Sequence, residues 1–199
     1  MQIDSAAHGG RPGRLRVWRN TRDSYGLVAI LLHWAMALVI VGLFGLGLWM
    51  VELTYYDDWY RTAPSLHKGI GVLLALTLLF RLLWRIINPT PRPEPGLSAP
   101  ERIASRAAHA ALYVLLLAIV ISGYLISTAD GRAIEVFGLF EVPATLTSLP
   151  NQADLAGEIH FWLAVSVISL ASVHALAALK HHFIDRDRTL VRMLGIRKP

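Results

Sequence analysis

The stretch EIHFWLAVSVISLASVHALAALKHH, Glu158 to His182, is apolar enough to lie in a membrane, yet it carries four histidines. His160, His174 and His181 follow one another at intervals of fourteen and seven residues. An ionisable side chain inside hydrocarbon is costly and marks a pathway or a ligand site. The spacing therefore asks what the rings hold.

The same apolar character recurs along the chain. Hydrophobic residues make up 54% of 199 positions, and they arrive in four blocks, at about 26–51, 65–87, 107–128 and 158–181. Each is near the roughly 20 residues that an α-helix needs to cross about 30 Å of hydrocarbon. A backbone in lipid must satisfy its own hydrogen bonds, so the blocks predict helices. The expected fold is all-α, an integral membrane four-helix bundle spanning 25–183, with a basic arm at 1–24 and a basic tail at 184–199. The first block is longer than the roughly 7–15 apolar residues of a cleavable signal and lacks a small-residue cleavage site. The arginine-rich arm before it reads as a membrane-proximal segment rather than a transit peptide.

Charge orients the bundle. Sixteen of the nineteen Lys and Arg residues lie in the arm, the segment joining the second and third blocks, the tail, or the block ends leading into them (Arg81, Arg85 and Lys180); Arg61, Lys68 and Arg132 lie on the opposite side. The positive-inside rule places both termini in the cytoplasm. Anionic lipid and topology account for the basic balance, and no nucleic-acid partner is implied. The chain has no cysteine, which excludes disulfides, thiolate chemistry and iron–sulfur ligation by its own residues.

Between the second and third blocks runs NPTPRPEPGLSAPERIASR. Its prolines stop the second helix and hold the chain extended. Ser98 with Glu101 forms a capping-box signature for a helix beginning near Pro100. On the opposite face, the longer connection contains FGLFEVP and predicts a small folded cap with a short interfacial helix.

Of eight histidines only His8 lies clearly outside a membrane segment. One histidine in a buried helix is ordinarily a hydrogen-bonded core residue; several at matched depths are another matter. His33 and His174 fall in the cytoplasmic parts of the first and fourth helices. His67 and His160 start the second and fourth helices on the far side. His160 and His174 are about 21 Å apart along the axis, and fourteen steps of roughly 100° return to within about 40° of the same direction. Two stacked sites, each with two imidazoles from different helices, suit two b-type haems with bis-histidine ligation. Gly42, Gly45, Gly47, Gly69, Gly71, Ala171, Ala175 and Ala178 supply small flanks, although membrane helix contacts favour small residues anyway. A closed zinc site wants four converging ligands, usually with thiolates or carboxylates. Arg81 and Arg85, fourteen and eighteen residues after His67, reach the cytoplasmic level, where they either pair with haem propionates or snorkel to headgroups.

These pieces together resemble the bacterial cytochrome b561 family of four-helix dihaem membrane proteins, which includes superoxide oxidase. The matching segments are LLHWAMAL around His33, SLHKGIGVLLALTLLFRLLWRIINPTP around His67, HAALYVLLLAIVISGY from His109 and EIHFWLAVSVISLASVHALAALKHHFIDRDRTLVRML. The resemblance implies that His33 and His174 ligate the cytoplasmic-side haem iron, and His67 and His160 the periplasmic one. It places His109 and His181 at the cytoplasmic level, beyond the haem ligands, in the neighbourhood of a quinone; His182 points elsewhere and is expected to be exposed. The implied protein is a multi-pass component of the bacterial inner membrane that passes electrons from an outer one-electron donor, superoxide among the candidates, to ubiquinone. The outer connections hold eight acids against Arg61, Lys68 and Arg132, a poor match to an anionic donor unless those three cations form a local cup. Two other readings stand beside this one. The first is a cytochrome b anchor of a larger dehydrogenase or hydrogenase. The second is a histidine-lined metal or proton permease, which calls for mid-membrane acids that the four blocks lack.

Overall fold

A computed structural model describes residues 18–196; His8, Arg11, Arg14, Arg16, Arg197 and Lys198 lie outside the described residues. Four long helices, α1 (Leu27–Met50), α2 (Thr62–Ile87), α3 (Ala99–Thr128) and α4 (Gln152–Phe183), are each long and apolar enough to cross a membrane. A two-stranded hairpin, β1 (Ile134–Val136) and β2 (Phe140–Val142), and a short helix α5 (Thr189–Met193) complete the order. The molecule is a four-helix bundle, all-α apart from that hairpin.

Local chemistry sets the helix ends. Ser98 Oγ accepts from the Glu101 amide, and Glu101 Oε2 lies 3.0 Å from the Ser98 amide, so the capping box forms and α3 starts at Ala99. α3 thus begins about eight residues before its apolar block, adding roughly two polar turns at 1.5 Å per residue. α2 stops at Asn88, whose extended backbone leads into the proline segment.

Helix α1 packs mainly on α2 and α3 mainly on α4, while α1 and α4 meet only sparsely. The buried core is a narrow cluster of Met36, Leu74, Leu78, Leu116 and Val167. Val167 is midway between His160 and His174, so this apolar layer separates the two histidine levels. Most other large apolar residues face outward, as lipid-facing side chains should.

Each end of the bundle is closed. At the end carrying both termini, Asn20 Nδ2 donates to Pro89 O at 3.0 Å and Asn20 Oδ1 accepts from Gly26 N at 2.8 Å. Trp34 Nε1 donates to Met193 O at 2.9 Å, and Arg192 Nη1 donates to Arg92 O at 2.9 Å and Glu94 Oε1 at 3.0 Å. At the other end the FGLFEVP connection is a β-hairpin rather than the expected interfacial helix. Ile134 pairs with Val142 and Val136 with Phe140; Ile134 and Val136 are buried while Glu135 points out. That alternation has a period of two, and Phe137 and Gly138 both take positive φ to turn the chain. A Cβ at Gly69 would stand 2.8 Å from Phe137 Cζ, so Gly69 seats the hairpin on α2 rather than making room between helices.

Gln152 fastens the hairpin end. Buried at the start of α4, it donates from Nε2 to Leu125 O at 2.9 Å and Leu146 O at 3.0 Å, and accepts from Leu149 N at 3.1 Å. Gln152→Leu removes all three bonds, each worth about 1 kcal/mol, and leaves Leu146 O only the Thr128 hydroxyl. A lowered thermal midpoint, with faster amide exchange at 146–152 and the helical content retained, is the expected outcome; unchanged exchange there would remove Gln152 from this role.

Candidate functional site

The two histidine levels are built from three helices. His33 of α1 and His174 of α4 have ring centroids 6.3 Å apart at 68°. His67 of α2 and His160 of α4 are 6.1 Å apart at 69°. Metal–imidazole bonds run about 2 Å and a ring centroid lies roughly 1 Å behind its nitrogen, so trans imidazoles on one metal have centroids about 6 Å apart. Both pairs meet that spacing, and each reaches across to α4 from a different hairpin of helices. The residues present fit a flat group ligated from both faces.

Helix α3 supplies no member of either pair but seats one of them. His160 Nδ1 lies 3.1 Å from Ile119 O and 2.9 Å from Ser122 Oγ, and Ser122 Oγ donates to Ile119 O at 2.9 Å. A carbonyl oxygen only accepts, so His160 carries its proton on Nδ1 and presents the Nε2 lone pair inward. A Cβ at Gly123 would lie 3.1 Å from His160 Cε1, and one at Gly47 would lie 3.3 Å from His67 Cε1. These glycines are spaces for imidazole rings. His67 Nδ1 is buried without a partner.

Arg81 is the cation of the terminal-end pair. Its Nη2 lies 3.1 Å from His33 Nδ1, its Nε donates to Tyr113 Oη at 3.1 Å, and Met36 Sδ is 3.7 Å from Nη1. Arg85 lies over the Tyr113 ring, 5.7 Å from its centroid. Among the described residues neither arginine has a carboxylate partner. A half-buried guanidinium without a counter-charge fits a carboxylate-bearing ligand.

The two remaining candidates do not share a level. His109 stands 5.0 Å from His174, centroid to centroid, and so belongs to the His33–His174 cluster rather than beyond it. The early start of α3 explains the difference, because His109 is about 15 Å into the helix rather than at its opening. His181 lies near the exit of α4, with Nδ1 2.8 Å from Asp185 Oδ2 and 3.1 Å from Asp187 Oδ2. Neither carboxylate forms a directed hydrogen bond with that nitrogen. Ligand atoms of Glu101, His181 and Asp185 lie within 4.8 Å of one another. Lys180 Nζ, 3.0 Å from Glu101 and 2.8 Å from Asp185, already holds the place of a cation there. His182 is half-buried beside Phe183 rather than exposed.

At the hairpin end a cup of Arg61, Lys68 and Arg132 would lose a member. Arg132 Nε donates to Asp130 Oδ2 at 2.7 Å, and that hydrogen bond holds the Asp130 carboxyl below its ordinary range. Arg61 and Lys68 remain. Ser122, Gly123, Ile119 O and Tyr113 went unnoticed in the sequence. Their one signal was a polar–small pair, Ser122–Gly123, inside an apolar block at the depth of His160.

Known proteins bear on what the pairs hold. The family model described as prokaryotic cytochrome b561 matches residues 24–195. The chain is 58% identical to "Cytochrome b561 homolog 2" of Escherichia coli over 176 residues, covering 88% of this chain and 94% of that protein. It is 29% identical to "Probable superoxide oxidase CybB" of Yersinia pestis over 171 residues, covering 85% and 95%. It is 28% identical to "Cytochrome b562" of Cereibacter sphaeroides over 175 residues, covering 85% and 94%. With its four membrane-spanning helices and a family match over nearly its whole length, the chain belongs to the prokaryotic cytochrome b561 family.

Proposed function

We propose that this inner-membrane electron-transfer protein carries two haems b, one between His33 and His174 and one between His67 and His160, and relays single electrons across the bilayer to ubiquinone. The observation that carries the reading is the pair of cross-helix imidazole contacts at 6.3 and 6.1 Å, stacked at two levels of one bundle. Bound haem supplies the one-electron carrier; the chain supplies four ligands and a dry interior. Ile119 O and Ser122 fix the tautomer of His160. Arg81, with Arg85 beside it, offers charge to propionates. The excess of basic residues at the terminal end supports a cytoplasmic placement for both termini.

Ubiquinone takes two electrons and two protons. His109, against His174, is the contact for the quinone head, and His181 with Asp185 and Asp187 hands protons inward from the cytoplasm. Superoxide is the donor suggested by the name of one relative: two superoxide ions lose one electron each to give two dioxygen molecules, while one ubiquinone becomes ubiquinol. Arg61 and Lys68 would attract the anion, and Arg132, neutralised by Asp130, would not.

Pyridine haemochrome analysis of the purified chain should return two haems b per chain; one would overturn the two-site reading. His33→Ala and His174→Ala should delete the same spectral component, and His67→Ala and His160→Ala the other. A component shared by His33→Ala and His67→Ala would break the pairing.

His181→Ala should slow ubiquinone turnover at least about tenfold, with both haems retained, as loss of a general acid does. His109→Ala should do the same and also shift the spectrum of the His33–His174 site, because its ring touches His174. Normal quinone kinetics in the double variant would move the quinone elsewhere.

Superoxide generated beside the purified chain should drive ubiquinone reduction without added subunits. Arg132→Ala should change that rate by less than about twofold, whereas Lys68→Ala should lower it and flatten its salt dependence. No reduction by the single chain would favour a membrane anchor that awaits a partner's electrons.

A further inference from the structure

The two histidine pairs match in spacing and differ in what stands behind the rings. Behind His160 are two oxygens: Ile119 O accepts from its Nδ1, and Ser122 Oγ, whose own proton goes to Ile119 O, accepts as well. An imidazole whose outer N–H is drawn toward oxygen becomes a stronger donor to metal, which favours the ferric state of an iron it ligates. No lysine or arginine nitrogen bonds to His67 or His160 among the described residues, and the formal charges next to them in sequence, Lys68 after His67 and Glu158 before His160, are of opposite sign.

Beside His33 the charge has the opposite sign. The Arg81 guanidinium lies 3.1 Å from its ring, held by Tyr113 and without a described carboxylate partner, and Arg85 shares the Tyr113 face. A fixed cation in a low-dielectric interior favours whichever state of a neighbouring centre holds one more electron. Arginine cannot accept a hydrogen bond. When a neutral His33 gives its Nε2 lone pair to iron, its proton sits on Nδ1, and the guanidinium faces the ring edge or a propionate instead. The sign of its effect is the same in either place.

We infer that the protein itself makes the step between the two haems downhill toward the terminal end: Ile119 O and Ser122 hold the His67–His160 haem at the lower potential, and Arg81 holds the His33–His174 haem at the higher one. Ser122 and Arg81 are positioning residues, acting through the ligands. One electron leaves the first iron and arrives at the second, and no proton or bond is exchanged. This rests on the two-haem reading above.

The test is a spectroelectrochemical titration of the holoprotein whose haem content has first been measured. The native protein should titrate in two steps separated by at least a tenfold difference in reduction equilibrium, 59 mV for one electron. Arg81→Gln should lower the higher step by about tenfold and leave the lower one in place, while Arg81→Lys keeps most of the native value. Ser122→Ala should raise the lower step by roughly threefold without moving the higher. If Arg81→Gln loses its haem, Tyr113→Phe, which frees the guanidinium, should lower the same step. Two haems titrating as one step, or Arg81 and Tyr113 variants that leave the higher step unmoved, would overturn the inference. A chain with a single haem would instead sink the reading beneath it.

Discussion

An imidazole or a guanidinium inside hydrocarbon must be given a partner, and nearly every feature of this bundle follows from that demand. Helix α4 carries one member of each histidine pair on one face, fourteen residues apart. The other helices are arranged around those two rings: α1 brings His33, α2 brings His67, and α3 brings the carbonyl and hydroxyl that orient His160. The glycines have the same origin. Gly47 and Gly123 are the places where a side chain would collide with His67 or His160, so the backbone itself forms the wall behind each ring. An apolar layer of Met36, Leu74, Leu78, Leu116 and Val167 fills the space between the levels.

Hydropathy and helical period made the bundle legible before any coordinates. Four blocks of membrane length leave few alternatives, and counting residues from each block edge puts His33 level with His174 and His67 level with His160. Where a helix outruns its apolar block the same counting misleads. α3 starts at Ala99 under its capping box, so His109 is well inside the helix and against His174. Period also failed at the FGLFEVP segment, where a three-residue alternation is too short to stand out and the hairpin depends on packing against α2. The seat of His160 was hidden for a different reason. One of its two oxygens is a backbone carbonyl, which no side-chain pattern announces.

The two ends of the molecule are chemically unlike. The terminal end is a mesh of arginine, carboxylate and backbone contacts that ties the arm, the proline segment and α5 to α1. At that end His181 stands among carboxylates, with Lys180 between two of them, at the mouth of the α3–α4 hairpin. The opposite end is closed by the hairpin and by Gln152, with Phe137 set on Gly69 two residues from His67. A donor arriving there would meet an apolar ring among eight acids and three cations. A proton arriving at the other end meets titratable groups in sequence.

The charges at the hairpin end set how strongly an anion would be drawn there, and Arg132 lowers that attraction. Three cations against eight acids already make a weak attractor for an anion, and the Asp130 contact withdraws one of the three. Identity of 29% to a relative named as a probable superoxide oxidase therefore weighs less than the cations that remain. Attraction at this face has to come from Arg61 and Lys68. Lys68 follows His67 directly on α2, so its charge is the one nearest the outer pair along the chain. An exposed lysine beside His67 would favour an anionic donor through encounter rate rather than tight binding.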